Sequence, residues 1–220
     1  MEKEKDYSIQ NKLVSYVLAN SISGDTDSAI NSIDTFCNLK PEHRMMNIGP
    51  HKAAVVEEFL KKQPVSSFLE LGTYVGYSAI RFSKLLTSNG RLLSIDVNPK
   101  TTAMATTISD HAKIKNIEFL LGGLSGQINF LKKEFPQGLD VIFLDHWKDL
   151  YVSDLNILEK NGLIRVGTRI VADNLLRPGA PGYIKYMTNN QHYQFLKVNS
   201  KVNYSSGIDQ VGLSTCVQSF

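Results

Sequence analysis

Apolar residues recur along the chain at two spacings, and the order in which they alternate predicts most of its elements. At the start only the helical spacing is present. Ile9, Leu13, Tyr16 and Val17 predict a helix over 7–20, and a second over 27–39 follows Gly24 and a possible cap at Asp25 or Thr26. The turn-like Lys40-Pro41-Glu42-His43-Arg44 ends this segment. It reads as a helical cover (1–45) on a core (46–220) within a single domain. From residue 47, helices and strands take turns. Ala53, Val56, Phe59 and Leu60 mark a helix, 67–71 a strand, and Ala79, Phe82, Ser83 and Leu86 another helix. Strands at 91–95 and 116–121 follow, with helices near 101–112 and 128–135. Two apolar runs, 139–144 and 169–172, read as buried strands; a helix at 181–189 and strands near 193–199 and 211–218 close the chain. This alternation predicts an α/β fold. Its seven-stranded, mostly parallel sheet has helices on both faces and an antiparallel edge strand supplied by the final hairpin.

The ends of the two buried runs carry the chemistry. The first stops at Asp145-His146-Trp147-Lys148-Asp149, the second at Asp173-Asn174. Ligands of open α/β sheets bind at the carboxyl ends of the strands. Two strands that deliver hard oxygen ligands to one edge, with a lysine three residues after the first carboxylate, describe a divalent-metal site with a base beside it. Each residue also has a plainer reading. Asp145 or Asp173 alone suits a helix cap, Asn174 a turn, Lys148 a solvated surface charge, His146 packing, and Trp147, the only tryptophan, a place in the core.

A second feature is the strand-to-helix turn Glu70-Leu71-Gly72-Thr73-Tyr74-Val75-Gly76-Tyr77-Ser78. The nicotinamide fingerprint G-x-G-x-x-G uses its middle glycine to let the backbone reach a pyrophosphate; here Tyr74 stands in that place. A side chain there suits an adenosine ligand without phosphates. Asp96 ends the next strand, where an acid accepts both hydroxyls of a ribose. The pair points to S-adenosylmethionine. The plainer alternative is a tight turn and a loop-capping acid.

Charge and cysteine content narrow the class further. With 24 basic and 21 acidic side chains the net charge is +3, and no Lys/Arg block suggests a nucleic-acid groove. Cys37 and Cys216 form neither a disulfide framework nor a zinc-ligand spacing. No window approaches the roughly 20 apolar residues of a membrane span. The expectation is a soluble, cytoplasmic protein, monomeric for preference, acting on a small molecule.

The chain resembles the catechol O-methyltransferase family of magnesium- and S-adenosylmethionine-dependent enzymes. The resemblance rests on Met46-Asn47-Ile48-Gly49, Glu70 to Ser78, Asp145 to Asp149, Leu158-Glu159-Lys160, Ala172-Asp173-Asn174 and Pro178-Gly179, spread over about 27–182. It implies a Rossmann-like methyltransferase fold and methylation of a catechol-like aromatic hydroxyl, the alternatives being the same chemistry on a different chelating phenol or diol-like molecule, or a non-catalytic S-adenosylmethionine-binding protein. Asp145, Asp173 and Asn174 would bind Mg2+, and Lys148 would be the general base. Ile48, Glu70, Gly72, Tyr74, Gly76, Ser78, Asp96, Asp145, His146 and Trp147 would form the cofactor site. Trp147, Lys148, Asn174 and Pro178 would meet the substrate. The chain departs from the family pattern in three places. The family's tryptophan before the Met-Asn segment is replaced by Pro41-Glu42-His43-Arg44-Met45. Its adenine-contacting serine–glutamine pair is matched only with a shift, by Ser125 and Gln127 in Gly123-Leu124-Ser125-Gly126-Gln127. Its late glutamate at the substrate is replaced by Asn203.

Overall fold

The computed structural model describes residues 6–202, 204 and 207–220. Helices α1 (Ser8–Asn20) and α2 (Thr26–Leu39) come first, followed by a 3₁₀ turn over Pro41–His43. The Asp25 carboxylate caps α2 by accepting from the Ser28 N–H at 3.0 Å. The alternating part then runs α3 (Gly49–Leu60), β1 (Val65–Leu71), α4 (Tyr77–Phe82), β2 (Leu86–Asp96), α5 (Pro99–His111), β3 (Ile117–Leu121) and α6 (Leu124–Glu134). It continues with β4 (Val141–Leu144), α7 (Tyr151–Lys160), β5 (Arg169–Ala172), α8 (Pro181–Thr188), β6 (Tyr193–Lys201) and β7 (Ile208–Cys216).

The strands form one sheet in the order β3-β2-β1-β4-β5-β7-β6. The pairs among β1 to β5 are parallel, and β7 runs antiparallel to both β5 and β6. The closing hairpin therefore does supply the antiparallel strand, but that strand lies one place in from the edge, with β6 outermost.

Alternate residues of each strand point to opposite faces, and both faces are covered. Phe68, Val141, Phe143 and Val171 pack with Leu13, Ile33, Val56 and Ile80 from the helices of one face, and with Ile48 just before α3. Leu69, Ile142, Leu144 and Ile170 pack with Leu131, Leu155, Leu158 and Tyr183 on the other. Burial on both sides is why these strands read as continuous apolar runs rather than alternating ones.

Two elements differ from the sequence expectation. The apolar spacing places Leu86 in a helix with Ala79 and Phe82, yet α4 stops at Phe82, and after a 3₁₀ turn Leu86 opens β2 opposite Val65. The register shifts between Val65 and Ser67, so the first part of β2 is an irregular extension. The second difference is α7, which the apolar spacing had not marked. Its buried positions, Tyr151, Leu155 and Leu158, follow a helical interval. Among the described residues no helix is long and apolar enough to cross a membrane.

Candidate active site

The strand order reverses at β1: the chain builds β2 and β3 on one side, then returns to place β4 and β5 on the other. Such a reversal opens a crevice at the carboxyl ends of the strands. Here β1, β2, β4 and β5 deliver Gly72, Asp96, Asp145 and Asp173 to that edge. Backbone bonds hold the ends level, with Asp145 N–H donating to Leu71 O at 2.9 Å and Asp173 N–H to Leu144 O at 3.0 Å.

The glycine turn presses against this edge. Gly72 has φ +104°, and a Cβ there would lie 2.6 Å from the Asp145 carbonyl oxygen. No larger residue fits without moving β4. Gly76, at φ +83°, would meet the Ala105 Cβ at 2.8 Å. Between them Tyr74 takes φ 48° and donates its N–H to Asp96 Oδ2 at 2.8 Å. Asp96 Oδ1 accepts from Asn98 N–H at 2.9 Å, which fixes the carboxylate while leaving acceptor capacity on both oxygens. The Tyr74 hydroxyl turns instead to Gln10 of α1, at 2.9 Å.

Beneath the turn, Glu70 is fully buried. Its Oε2 accepts from Ser94, which is itself 2.6 Å from the Thr73 hydroxyl, and its Oε1 has no partner. Burial pushes this carboxyl up to about 8, against the hydrogen bonding of Ser78 and Ser94. A buried, half-satisfied carboxylate is costly and fits a ligand that brings a positive charge. His146 is similar: one ring nitrogen, Nε2, lies 2.8 Å from Asp154 Oδ2, and Nδ1 is buried without a partner. Ile48 and Ser78 are buried around the same turn.

The acidic edge is organised by two lysines. Lys148 Nζ donates to Asp145 Oδ1 at 3.1 Å and to the Tyr151 hydroxyl at 2.8 Å. That hydroxyl in turn donates to Leu144 O at 2.7 Å, so a fully buried tyrosine anchors the ammonium. On the far side Lys52, only 2 % exposed, donates to Asp173 Oδ1 at 2.6 Å and to Asp209 Oδ2 at 3.0 Å. Burial draws both site carboxyls upward. For Asp145 the charge of Asp173 adds to this while Lys148 and Lys52 oppose it; for Asp173 the main opposition is Lys52. Desolvation would lower Lys52, but Asp173 and Asp209 outweigh it and hold the amine above its ordinary value. Burial likewise acts upward on Asp209, yet Lys52 and backbone N–H groups hold it below the usual carboxylate range.

Asn174 stands in left-handed backbone (φ 61°, ψ 43°) and donates its side-chain amide to Asp209 Oδ2 at 3.1 Å. One buried and one part-buried carboxylate, both drawn upward by desolvation, with an adjacent amide, make a hard oxygen set suited to a divalent cation. No group of three His, Cys, Asp or Glu with metal-holding geometry occurs among the described residues. The third ligand of this set would be an amide.

The plainer readings of several residues do not hold. Trp147 is 75 % exposed and so is not core, and neither Asp145 nor Asp173 caps a helix with its side chain. Lys148 is not a solvated surface charge, its side chain being 14 % exposed. Pro178 lies exposed in the turn after Asn174. His43, in the segment that replaces the family's tryptophan, stacks on Phe36 at 4.3 Å, and Met46 beside it is exposed. The Gln127 amide donates to Leu121 O at 3.2 Å, and Ser125 is exposed. Asn203 lies outside the described residues.

Sequence reasoning missed Lys52, Tyr151 and Asp209. Lys52 sits six residues after Met46 in a segment already noted, and Tyr151 two residues beyond the acidic motif. Asp209 carried no signal. A groove of about 830 Å³ also runs from Lys148 and Asp149 along α8 to His192. It touches neither the carboxylates nor the glycine turn, so the chemistry lies at its end rather than within it.

Known proteins resemble this chain in sequence and in fold. The profile of the O-methyltransferase family matches residues 20–215. Bovine catechol O-methyltransferase is 36 % identical over 202 residues, covering 91 % of this chain and 74 % of its own length. The porcine enzyme is 37 % identical over 170 residues, covering 76 % and 91 %. A transmembrane O-methyltransferase from Homo sapiens is 29 % identical over 84 % of this chain and 64 % of its own. Among solved structures, an O-methyltransferase from Bacillus cereus in complex with SAH superposes with a TM-score of 0.72 at 20 % identity, over 94 % of this chain and 99 % of that one. The O-methyltransferase TomG from Streptomyces achromogenes, in complex with SAM, gives 0.72 at 17 % identity, over 98 % and 100 %. Those two likenesses establish the Rossmann-like methyltransferase fold. The chain belongs to the O-methyltransferase family as a relative of the catechol O-methyltransferases, and is a small-molecule O-methyltransferase.

Proposed function

We propose that the protein transfers the methyl group of S-adenosylmethionine to a hydroxyl of a catechol-like aromatic, with Mg2+ held by Asp145, Asp173 and Asn174. The observation that carries this reading is the acidic edge, where part-buried Asp145 and buried Asp173 follow adjacent strands and Lys148 lies 3.1 Å from Asp145. The relatives named for catechol methylation, and the similar folds solved with SAM or SAH, support it. The cofactor would lie against Ile48, Glu70, Gly72, Tyr74, Gly76, Ser78, Asp96, His146 and Trp147. Its ammonium and sulfonium charges suit the unsatisfied Glu70 carboxylate and the acidic edge.

The acceptor sets the energetic problem. A phenolic hydroxyl with a pKa of about 10 is ionised in roughly one molecule per thousand at pH 7, a deficit of about 4 kcal/mol. A divalent cation at this site supplies Lewis-acid charge that favours the ionised hydroxyl. Lys148, in its neutral form, accepts the proton at Nζ, held toward the edge by the Tyr151 hydroxyl. Asp145, Asp173 and Asn174 would hold the cation by two carboxylates and one amide, a set that would leave it able to take a chelating pair of neighbouring hydroxyls. Trp147 and Pro178 offer exposed apolar surface to a flat ring, and the remaining contribution is alignment for in-line transfer.

A second reading keeps the chemistry and changes the acceptor to another chelating phenol or diol-like molecule. The Pro41–His43 turn in place of a tryptophan favours it. A panel of acceptors tests both. Transfer to aromatic vicinal diols but not to their monohydroxy analogues is expected. Equal turnover of the two classes would overturn chelation, and preference for a non-aromatic diol would select the second reading.

A further inference from the structure

Asp209 is fully buried, lies 35 residues beyond Asn174, and is the most heavily hydrogen-bonded carboxylate at the acidic edge. Its Oδ1 accepts three backbone N–H groups, from Leu176 (3.0 Å), Arg177 (3.1 Å) and Gln210 (2.8 Å). Its Oδ2 accepts Lys52 Nζ (3.0 Å) and the Asn174 side-chain NH₂ (3.1 Å). An ionised carboxylate only accepts. The end of the Asn174 amide that faces Asp209 must therefore be its nitrogen, and the carbonyl oxygen must point the other way. Hard cations are bound by that oxygen and not by the nitrogen. Lys52 meanwhile bridges Asp209 and Asp173 and offsets part of the charge of each.

We propose that Asp209, balanced by Lys52, is a positioning residue that fixes the Asn174 amide with its oxygen presented to the bound cation. This rests on the reading of Asp145, Asp173 and Asn174 as ligands. Asp209 touches neither substrate nor cofactor in this role; it acts through Asn174, as partners of metal-binding side chains commonly do. The Leu176 and Arg177 bonds extend the same control to the turn that carries Pro178.

Asp209→Asn would reverse the orientation of the Asn174 amide. Three backbone donors require the new amide to keep its oxygen where Oδ1 was, so its NH₂ faces Asn174. Two NH₂ groups cannot bond, and the Asn174 amide must turn its oxygen inward, away from the cation. The test is Mn2+ binding followed by electron paramagnetic resonance, with S-adenosylmethionine binding as the check that each variant is folded. Asp209→Asn is expected to lose about 10- to 100-fold in Mn2+ affinity with cofactor affinity kept. Adding Asn174→Asp to it restores an acceptor facing the NH₂ and an oxygen facing the cation at unchanged total charge, so the double variant should recover most of the loss. Should the single variant fail to fold, the double variant decides alone. Mn2+ affinity near that of the unaltered protein upholds the proposal, and loss of Mn2+ with cofactor binding intact overturns it. Unaltered Mn2+ affinity in Asp209→Asn, or a double variant no better than the single, would also overturn it. If the unaltered protein binds no Mn2+, the ligand assignment falls and this inference with it.

Discussion

Lys148 illustrates how much of the proposed chemistry rests on single side chains. Its ammonium is placed by two partners of different kinds, the Asp145 carboxylate and the Tyr151 hydroxyl, and both tie it to the end of β4. As a general base it should contribute on the order of 10²–10⁴ in rate. Lys148→Ala is therefore expected to lower kcat by about that factor near neutral pH while cofactor affinity is kept. Part of the loss should return as pH rises and the acceptor ionises unaided. Lys148→Arg should not rescue activity, since a guanidinium stays protonated. A pH–rate profile parallel to that of the unaltered protein would remove the base role. At this scale the sequence was informative wherever a residue lay inside a dense motif: Asp145, Lys148, Asp173 and Asn174 share one edge, as read. It was silent on Lys52 and Asp209. Their partnership spans 157 residues, and neither belongs to a local pattern. Trp147 was legible as a ring-facing candidate only through the family likeness, because a lone tryptophan is ordinarily buried.

Among the elements, the β1–α4 turn shows the strictest geometry. Gly72 combines a left-handed φ with a missing Cβ that would otherwise strike the Asp145 backbone at 2.6 Å. Gly72→Ala should thus do two things. It should destabilise the protein by about 1–3 kcal/mol, as strained backbone positions do, and it should displace the start of the acidic motif. The checks are denaturant unfolding and turnover measured at saturating cofactor; a stable, fully active Gly72→Ala protein would contradict the close approach. β4 and β5 were the most legible strands because burial on both faces writes them as apolar runs followed by acids. The helices were less so. Tyr151–Lys160 escaped because its buried positions, Tyr151, Leu155 and Leu158, make only a short periodic stretch, blurred by the apolar Val152 and Ile157 between them. Leu86 was drawn into a helix by its spacing from Phe82, whereas pairing with Val65 across the sheet decides its conformation. Local pattern yields to tertiary pairing where the two conflict.

For the molecule as a whole, the buried acids predict an unusual dependence of stability on pH. Glu70 has its folded value raised from 4.5 to about 8. Between those values the native state holds a proton that the unfolded chain releases. Its contribution to stability is complete below about 4.5 and is lost as pH rises through about 8. Asp145 is shifted in the same direction. The ligand-free protein should therefore melt at progressively lower temperature from about pH 5 to pH 8, where most proteins change little. A cationic cofactor that bonds Glu70 should flatten this slope and release protons on binding near pH 7, measurable by titration calorimetry in buffers of different ionisation enthalpy. A flat melting profile without ligand, or binding with no proton release, would show that Glu70 is ionised before the cofactor arrives.

The central claim is that the acidic edge is a metal centre for methyl transfer. It is tested most directly by following labelled methyl from S-adenosylmethionine to catechol in three states of one preparation: with Mg2+, after EDTA, and after Mg2+ is restored, with cofactor binding measured in each. Transfer with Mg2+, its loss in EDTA while the cofactor still binds, and its return with the metal are expected. Undiminished transfer in EDTA would mean that Asp145, Asp173 and Asn174 serve some other end.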